Sequence, residues 1–139
     1  MRGTGSAPAA DPWDVFWDRV TPEQQLLKED AVEYVHNLAA LTPLTPQLRV
    51  LDFGCGWGNI ARLIAHRVNE LSMWDEAPRM RRLALEATAG MRDVRMLSLE
   101  AGPSSDPRGE FDLILANSVG QFMTADELRD WLPRWRRML

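Results

Sequence analysis

The feature that most constrains this sequence is a glycine-rich segment between a β-rich run and a helical pattern. Residues 48–53, LRVLDF, are typical of a short strand, and residues 54–58, GCGWG, follow directly. From Ile60 to Val68 the apolar residues recur at helical spacing. This order predicts the first half of a βαβ unit, in which the glycine loop lies at the carboxyl end of the strand.

The alternation of strands and helices continues along the chain. Residues 70–74 and 94–99 predict two further strands, with a helix at 78–89 between them. Residues 111–116, FDLILA, form a nearly continuous apolar run, typical of a strand that is buried on both faces. The pattern predicts the α/β class, with an open, mostly parallel, Rossmann-like sheet that has helices on both faces. Its ligand crevice is expected beyond the carboxyl ends of the strands.

Two helices are expected before the first strand. Asp11 before Pro12 is typical of a helix start, and Thr21 with Gln24 has the spacing of a capping box. The second helix should end near 42–46, where prolines interrupt it. Its apolar stripe consists of Leu27, Ala31, Tyr34, Leu38 and Leu41.

A last helix is expected to follow Thr124 as its N-terminal cap, and Pro133 is expected to kink it. Its tryptophans and arginines fit an amphipathic helix whose arginines are solvated. These residues are Trp131, Trp135, Arg134, Arg136 and Arg137. The chain is therefore divided into a flexible arm at 1–10, a helical segment at 11–47 and an α/β domain at 48–139.

Length and charge exclude several classes of protein. The 139 residues fit one domain, and 16 basic against 20 acidic residues give a net charge of −4. This balance disfavours nucleic acid or an anionic membrane as the main partner. A single cysteine, Cys55, allows no internal disulfide and no cysteine metal site, and no apolar run has the length of a signal peptide or a membrane span. A cytoplasmic protein without a bound metal is expected.

Polar residues stand at or just after the ends of the predicted strands, where they would face one rim of the sheet. The glycine motif has the form D-x-G-x-G-x-G and not G-x-G-x-x-G, which disfavours a nicotinamide-dependent oxidoreductase. A carboxylate after the second strand can bind both hydroxyls of a ribose. The polar residues at the four strand ends are Asp52, Asp75, Glu100 and Asn117.

Each of these features also has a purely structural interpretation. The glycine loop can be an ordinary strand-to-helix turn, and Asp75 can cap the helix that starts near Pro78. Glu100 fits a pocket carboxylate and a solvated loop residue equally well. Cys55 stands between two glycines, where a small residue is tolerated, and this position favours a structural residue over a nucleophile.

Three segments carry a resemblance to a known family. VLDFGCGWGNIARLIA, MWDEAPRMRRLAL and EFDLILANSVGQF, in this order, resemble the glycine-rich motif, the acidic segment and the fourth strand of class I S-adenosylmethionine-dependent methyltransferases. The similarity covers residues 30–139 and implies S-adenosylmethionine as the cofactor. It also implies that Asp75 holds the ribose hydroxyls and that Glu100 with Ala101 lies near the adenine. The residues implied to surround the methionyl part and the sulfonium are Asp52, Gly54, Gly56, Gly58, Asn117 and Ser118. Phe53, Cys55 and Glu76 belong to the same segments and are expected to bind the cofactor with them.

The sequence also departs from the family pattern. Members usually continue beyond the last helix into three further strands, so the resemblance implies a sheet truncated after the fourth strand and its helix. Gln121 and Phe122 stand where many members carry histidines, and no catalytic residue is assigned. The N/D-P-P-Y/F signature of DNA methyltransferases is absent after Asn117, which favours a small-molecule acceptor. The alternative is a catalytically incomplete binding module that pairs with another chain, or with its own copy, through the edge of the fourth strand.

Overall fold

The computed structural model describes residues 15, 16, 19, 25–99 and 103–139. The predicted arm at 1–10 and the two predicted helix starts at Asp11 and Thr21 lie outside these residues. Glu100 and Ala101, which were predicted to lie near the adenine, also lie outside them.

The described part of the chain contains one sheet of four parallel strands in the order β3-β2-β1-β4. The strands are β1 (Arg49–Phe53), β2 (Glu70–Trp74), β3 (Val94–Met96) and β4 (Leu113–Leu115). This open parallel sheet confirms the predicted fold class. Two strands are shorter than predicted, since the apolar residues Leu97, Leu99 and Phe111 pack against the sheet outside its strands.

The helices begin and end close to the predicted positions. They are α1 (Gln25–Leu41), α2 (Asn59–Ile64), α3 (Pro78–Ala87) and α4 (Ala125–Met138). Leu41 was predicted to belong to the apolar stripe of α1, but its side chain is 84% exposed. It is the last residue of the helix and lies beyond the packed face. Thr124 caps α4 as predicted: its hydroxyl accepts the amide of Glu127 at 3.2 Å, and the Glu127 carboxylate accepts the Thr124 amide at 2.6 Å. The helix continues through Pro133.

Two apolar clusters cover the two faces of the sheet. Successive side chains of a strand leave opposite faces, and in β1 the buried Val50 packs with residues of α1 and α2, including Ala31. Leu51 and Phe53 pack on the other face with Met138 of α4. Helices therefore lie on both faces of the sheet, as predicted. In the described part of the chain, no helix is long and apolar enough to span a membrane.

An ion pair fixes β4 beside β1 at the end of the sheet opposite the glycine loop. The Arg49 guanidinium donates to both carboxylate oxygens of Asp112, at 3.0 and 2.9 Å, and the Arg49 amide donates to the same carboxylate at 2.9 Å. These bonds lower the pKa of Asp112 to about 2. The pair sits where the register of β1 and β4 begins.

Candidate functional site

A cavity of about 900 Å³ lies at the carboxyl ends of the strands. The strand order reverses between β1 and β4, and in open α/β sheets the loops at such a reversal diverge and leave a crevice. The cavity is lined by the segments that follow β1, β2, β3 and β4 and by one side of α4. Seven of the predicted site residues line it: Phe53, Gly54, Gly56, Asp75, Glu76, Asn117 and Ser118.

The loop after β1 makes direct contact with the loop after β4. Gly54 has φ +75°, and a Cβ added there would lie 2.3 Å from Cγ2 of Val119. Glycine is therefore required for the two loops to approach this closely. By contrast, a Cβ at Gly56 would meet nothing within 4 Å, so the space beside the middle of the loop is open.

The end of the glycine loop packs on α3. A Cβ at Gly58, which has φ +78°, would lie 3.3 Å from the Cα of Ala84. The close approach places the start of α2 against α3. Gly58 does not line the cavity, so the structure gives it a packing role between the two helices.

Asp75 joins the glycine loop to the turn after β2. One carboxylate oxygen accepts the amide of Gly56 at 2.9 Å, and the other accepts the amide of Ala77 at 2.9 Å. The Gly54 amide also donates to the carbonyl of Trp74, at 2.7 Å. Asp75 thus supports the start of α3, although the cap residue of that helix is Ala77. The two segments predicted to share a ligand lie side by side.

Two opposing influences act on the ionisation of Asp75. Burial raises the pKa of its carboxyl above 3.8, while the bonds from Gly56 and Ala77 and the charge of Arg81 lower it. The remaining lone pairs of the carboxylate can accept hydrogen bonds from the hydroxyl groups of a ligand in the cavity.

Asp52 lies in β1, two residues before the first glycine of the loop, and does not line the cavity. It is 1% exposed, and its Oδ2 has no hydrogen-bond donor among the described residues. Burial, followed by the charge of Asp75, raises the pKa of Asp52 to about 7. The same carboxyl contributes to the raised pKa of Tyr34 on α1, after burial of the phenol itself. An orphaned buried carboxyl costs free energy unless a proton or a cation compensates it.

Cys55 is buried in the glycine loop and does not line the cavity. Burial, followed by the charges of Asp52 and Asp75, raises the pKa of its thiol. The reactive thiolate is therefore disfavoured, which supports the structural interpretation of this residue.

One side of α4 forms a wall of the cavity, and the sequence pattern did not predict this helix as part of the site. Arg134 was expected to be solvated but is only 6% exposed. Its guanidinium donates to both carboxylate oxygens of Asp106, at 2.7 and 2.6 Å, and lies 3.8 Å from the ring centroid of Trp131. No local sequence pattern indicates this ion pair, because its two partners are separated by 28 positions.

An aromatic cluster connects α4 to the sheet at the floor of the cavity. The ring centroid of Phe53 lies 4.6 Å from Trp74 and 4.6 Å from Trp131. Trp74 and Trp131 are 5.2 Å apart. All three residues line the cavity. In the part of the chain that the structure describes, no cluster of three or more His, Cys, Asp or Glu side chains could hold a metal ion.

A comparison with known proteins identifies a family that this chain matches. The family model described as a methyltransferase domain matches residues 50–139. A trans-aconitate 2-methyltransferase of Deinococcus radiodurans is 30% identical over 105 residues, which are 74% of this chain and 35% of that protein. The protein of the same name from Mycobacterium sp. (strain KMS) is 34% identical over 91 residues, 63% of this chain and 32% of that protein. The chain thus spans about a third of the length of these curated relatives.

A solved structure shows the same fold. Phosphoethanolamine N-methyltransferase 1 of Haemonchus contortus, in complex with phosphoethanolamine and S-adenosylhomocysteine, superposes with a TM-score of 0.74. The two chains are 18% identical, and the match covers 91% of this chain and 28% of the other. The arrangement of β1–β4 with their helices is therefore shared with a protein that binds a sulfur nucleoside.

Proposed function

The chain belongs to the methyltransferase domain family, and from this premise we propose that it takes part in methyl transfer from S-adenosylmethionine to a small-molecule acceptor. The observation that carries the proposal is the bond between the Asp75 carboxylate and the Gly56 amide. It places a carboxylate suited to a ribose beside a loop with open space, at the edge of a 900 Å³ cavity.

The residues of the cavity fit the cofactor. Asp75 would accept the ribose hydroxyls, and the open side of the loop at Gly54 and Gly56 would lie along the methionyl part. Asn117 and Ser118, from the loop after β4, would line the region of the sulfonium. Asp52 would act through the loop, because a cationic ligand bound nearby would compensate the ionised form of its buried carboxyl, whose Oδ2 has no donor among the described residues.

Methyl transfer requires alignment more than acid–base chemistry. When bound, S-adenosylmethionine supplies a methyl group that is already activated by the positive sulfonium. The protein then has to hold the acceptor in line and exclude water. The aromatic floor of Phe53, Trp74 and Trp131 provides an apolar surface for this purpose.

Titration calorimetry with S-adenosylhomocysteine tests the proposal. We expect saturable binding to the full chain, and Asp75→Ala should weaken it by about 1–3 kcal/mol because a buried carboxylate loses its hydroxyl partners. Glu86→Ala, at an exposed position of α3, is the matched control and should bind like the wild type. The absence of heat at millimolar ligand would contradict the proposal.

The acceptor can be sought by assay. Transfer of a labelled methyl group should be measured first with trans-aconitate, the compound in the name of the curated relatives. A panel of other small acids, amines and alcohols follows. Binding of the cofactor without transfer to any of them would leave a binding module as the better description.

A further inference from the structure

Arg81 closes the turn that carries Asp75 and Glu76. It lies in the first half of α3, and its side chain reaches back over the end of β2. A single guanidinium nitrogen donates to the carbonyl of Asp75 at 2.5 Å and to the carbonyl of Glu76 at 2.8 Å. The side chain also lines the cavity.

The two carbonyls belong to the short segment between β2 and α3, and Arg81 donates to both of them. Backbone carbonyls outside regular secondary structure are commonly paired with side-chain donors of this kind. A charged donor that binds both holds the two peptide groups that directly follow the Asp75 Cα, one on each side of the Glu76 Cα. The direction of the Asp75 carboxylate, toward the amides of Gly56 and Ala77, depends on this backbone.

The charge of Arg81 has a second effect at the same place. It lowers the pKa of Asp75 against the effect of burial. Among the described residues, the other titratable groups near Asp75 include Asp52 from β1, Cys55 from the glycine loop and the neighbouring Glu76. In the part of the chain that the structure describes, Arg81 is the one cation among the groups that shift the pKa of Asp75.

We propose that Arg81 is a positioning residue for the cofactor, because it fixes the turn that presents the Asp75 carboxylate to a ribose. The inference rests on the proposed function, since it requires the ribose to be the ligand of Asp75. Arg81 is not a catalytic residue, because it acts through Asp75 and not on the reacting atoms.

The test compares the wild-type chain with Arg81→Gln, Arg81→Lys and Arg82→Gln by calorimetry with S-adenosylhomocysteine between about pH 5 and 9. Arg82 is the matched control, since it is the next residue of α3 and is exposed. Arg81→Gln should raise the Kd about tenfold at neutral pH through loss of a charge-assisted hydrogen bond. Arg82→Gln should leave the Kd unchanged.

The pH profile separates positioning from a merely structural role. The ionised carboxylate of Asp75 accepts hydrogen bonds from hydroxyl groups more strongly than the neutral acid does, so affinity should fall as the pH falls through the pKa of Asp75. Without the charge of Arg81 that pKa rises further, and the loss of affinity should begin at a higher pH in Arg81→Gln. Arg81→Lys restores the charge without the planar fork, so it should keep the wild-type pH midpoint with a weaker Kd.

The outcomes separate the two proposals. A wild type that does not bind S-adenosylhomocysteine overturns the proposed function and this inference with it. A wild type that binds, with an Arg81→Gln variant that has the same Kd or an unmoved pH midpoint, overturns only the inference. If Arg81→Gln does not fold, Arg81→Lys decides: a weaker Kd with the wild-type midpoint supports the role of Arg81, and wild-type affinity overturns it.

Discussion

Replacing Asp52 by Asn should change how the stability of the protein depends on pH. Asp52 is 1% exposed and its pKa is raised from 3.8 to about 7, chiefly by burial. The unfolded chain releases this proton near pH 4 and the folded chain near pH 7, so between these values the folded state binds more protons. Stability therefore falls as the pH rises through this window.

The magnitude follows from the size of the shift. A pKa raised from 3.8 to about 7 corresponds to about 4 kcal/mol of destabilisation above neutral pH. About 3 kcal/mol of this loss falls between about pH 5 and 8. Asp52→Asn has no carboxyl to ionise, so its free energy of unfolding should lack this loss. The amide introduces buried N–H groups of its own, and the informative quantity is therefore the difference between the two pH values in each protein.

Urea denaturation at about pH 5 and 8, followed by tryptophan fluorescence and circular dichroism, measures this difference. Asp112→Asn is the control, because the pKa of Asp112 is lowered to about 2 and both pH values lie above its titration. It should lose stability equally at the two values. If wild type and Asp52→Asn lose the same free energy over this interval, the assignment of a raised pKa to Asp52 is wrong.

Three further changes test the packing around the cavity by urea denaturation. Gly54→Ala should cost about 2–4 kcal/mol because of the 2.3 Å contact and the positive φ, whereas Gly90→Ala, at φ +79° with nothing within 4 Å, should cost about 1–2 kcal/mol. Equal costs would show that the contact is unimportant. Arg134→Met should cost about 3–5 kcal/mol, since it removes the ion-pair partner of the 1%-exposed side chain of Asp106. A cost below that of an ordinary surface change would contradict this. Thr124→Ala should cost about 1 kcal/mol through loss of the cap of α4, and an unchanged midpoint would argue that the cap contributes nothing.

Local signals predicted the elements that position the site. The strand at Glu70–Trp74 and the end of α1 before Pro43 follow from patterns that act within a few residues, namely apolar alternation and proline. The cap at Thr124 is of the same kind, since its hydrogen bonds span three positions. The lengths of β3 and β4 were less predictable, because an apolar residue can pack beside a sheet as well as within it.

The site was predictable in its location and less so in its contacts. The order of the motifs places the loops of Gly54 and Asp75 on neighbouring strands, and the structure brings them within hydrogen-bonding distance. Asp52, adjacent to Phe53 in β1, leaves the opposite face of the strand and lies outside the cavity. The contacts of Arg81 with two carbonyls depend on the path of the backbone, which the spacing of residues in the sequence does not reveal.

The contact between the two loops also constrains the evolution of this chain. Position 54 and position 119 share one volume, since the missing side chain of Gly54 leaves the space that the Val119 methyl fills. A lineage that enlarges residue 54 first passes through a damaged intermediate, whereas one that first shortens residue 119 does not meet the same clash. The order of the two substitutions, and not only their identity, decides which sequences are accessible, so the two positions should vary together among descendants of this protein.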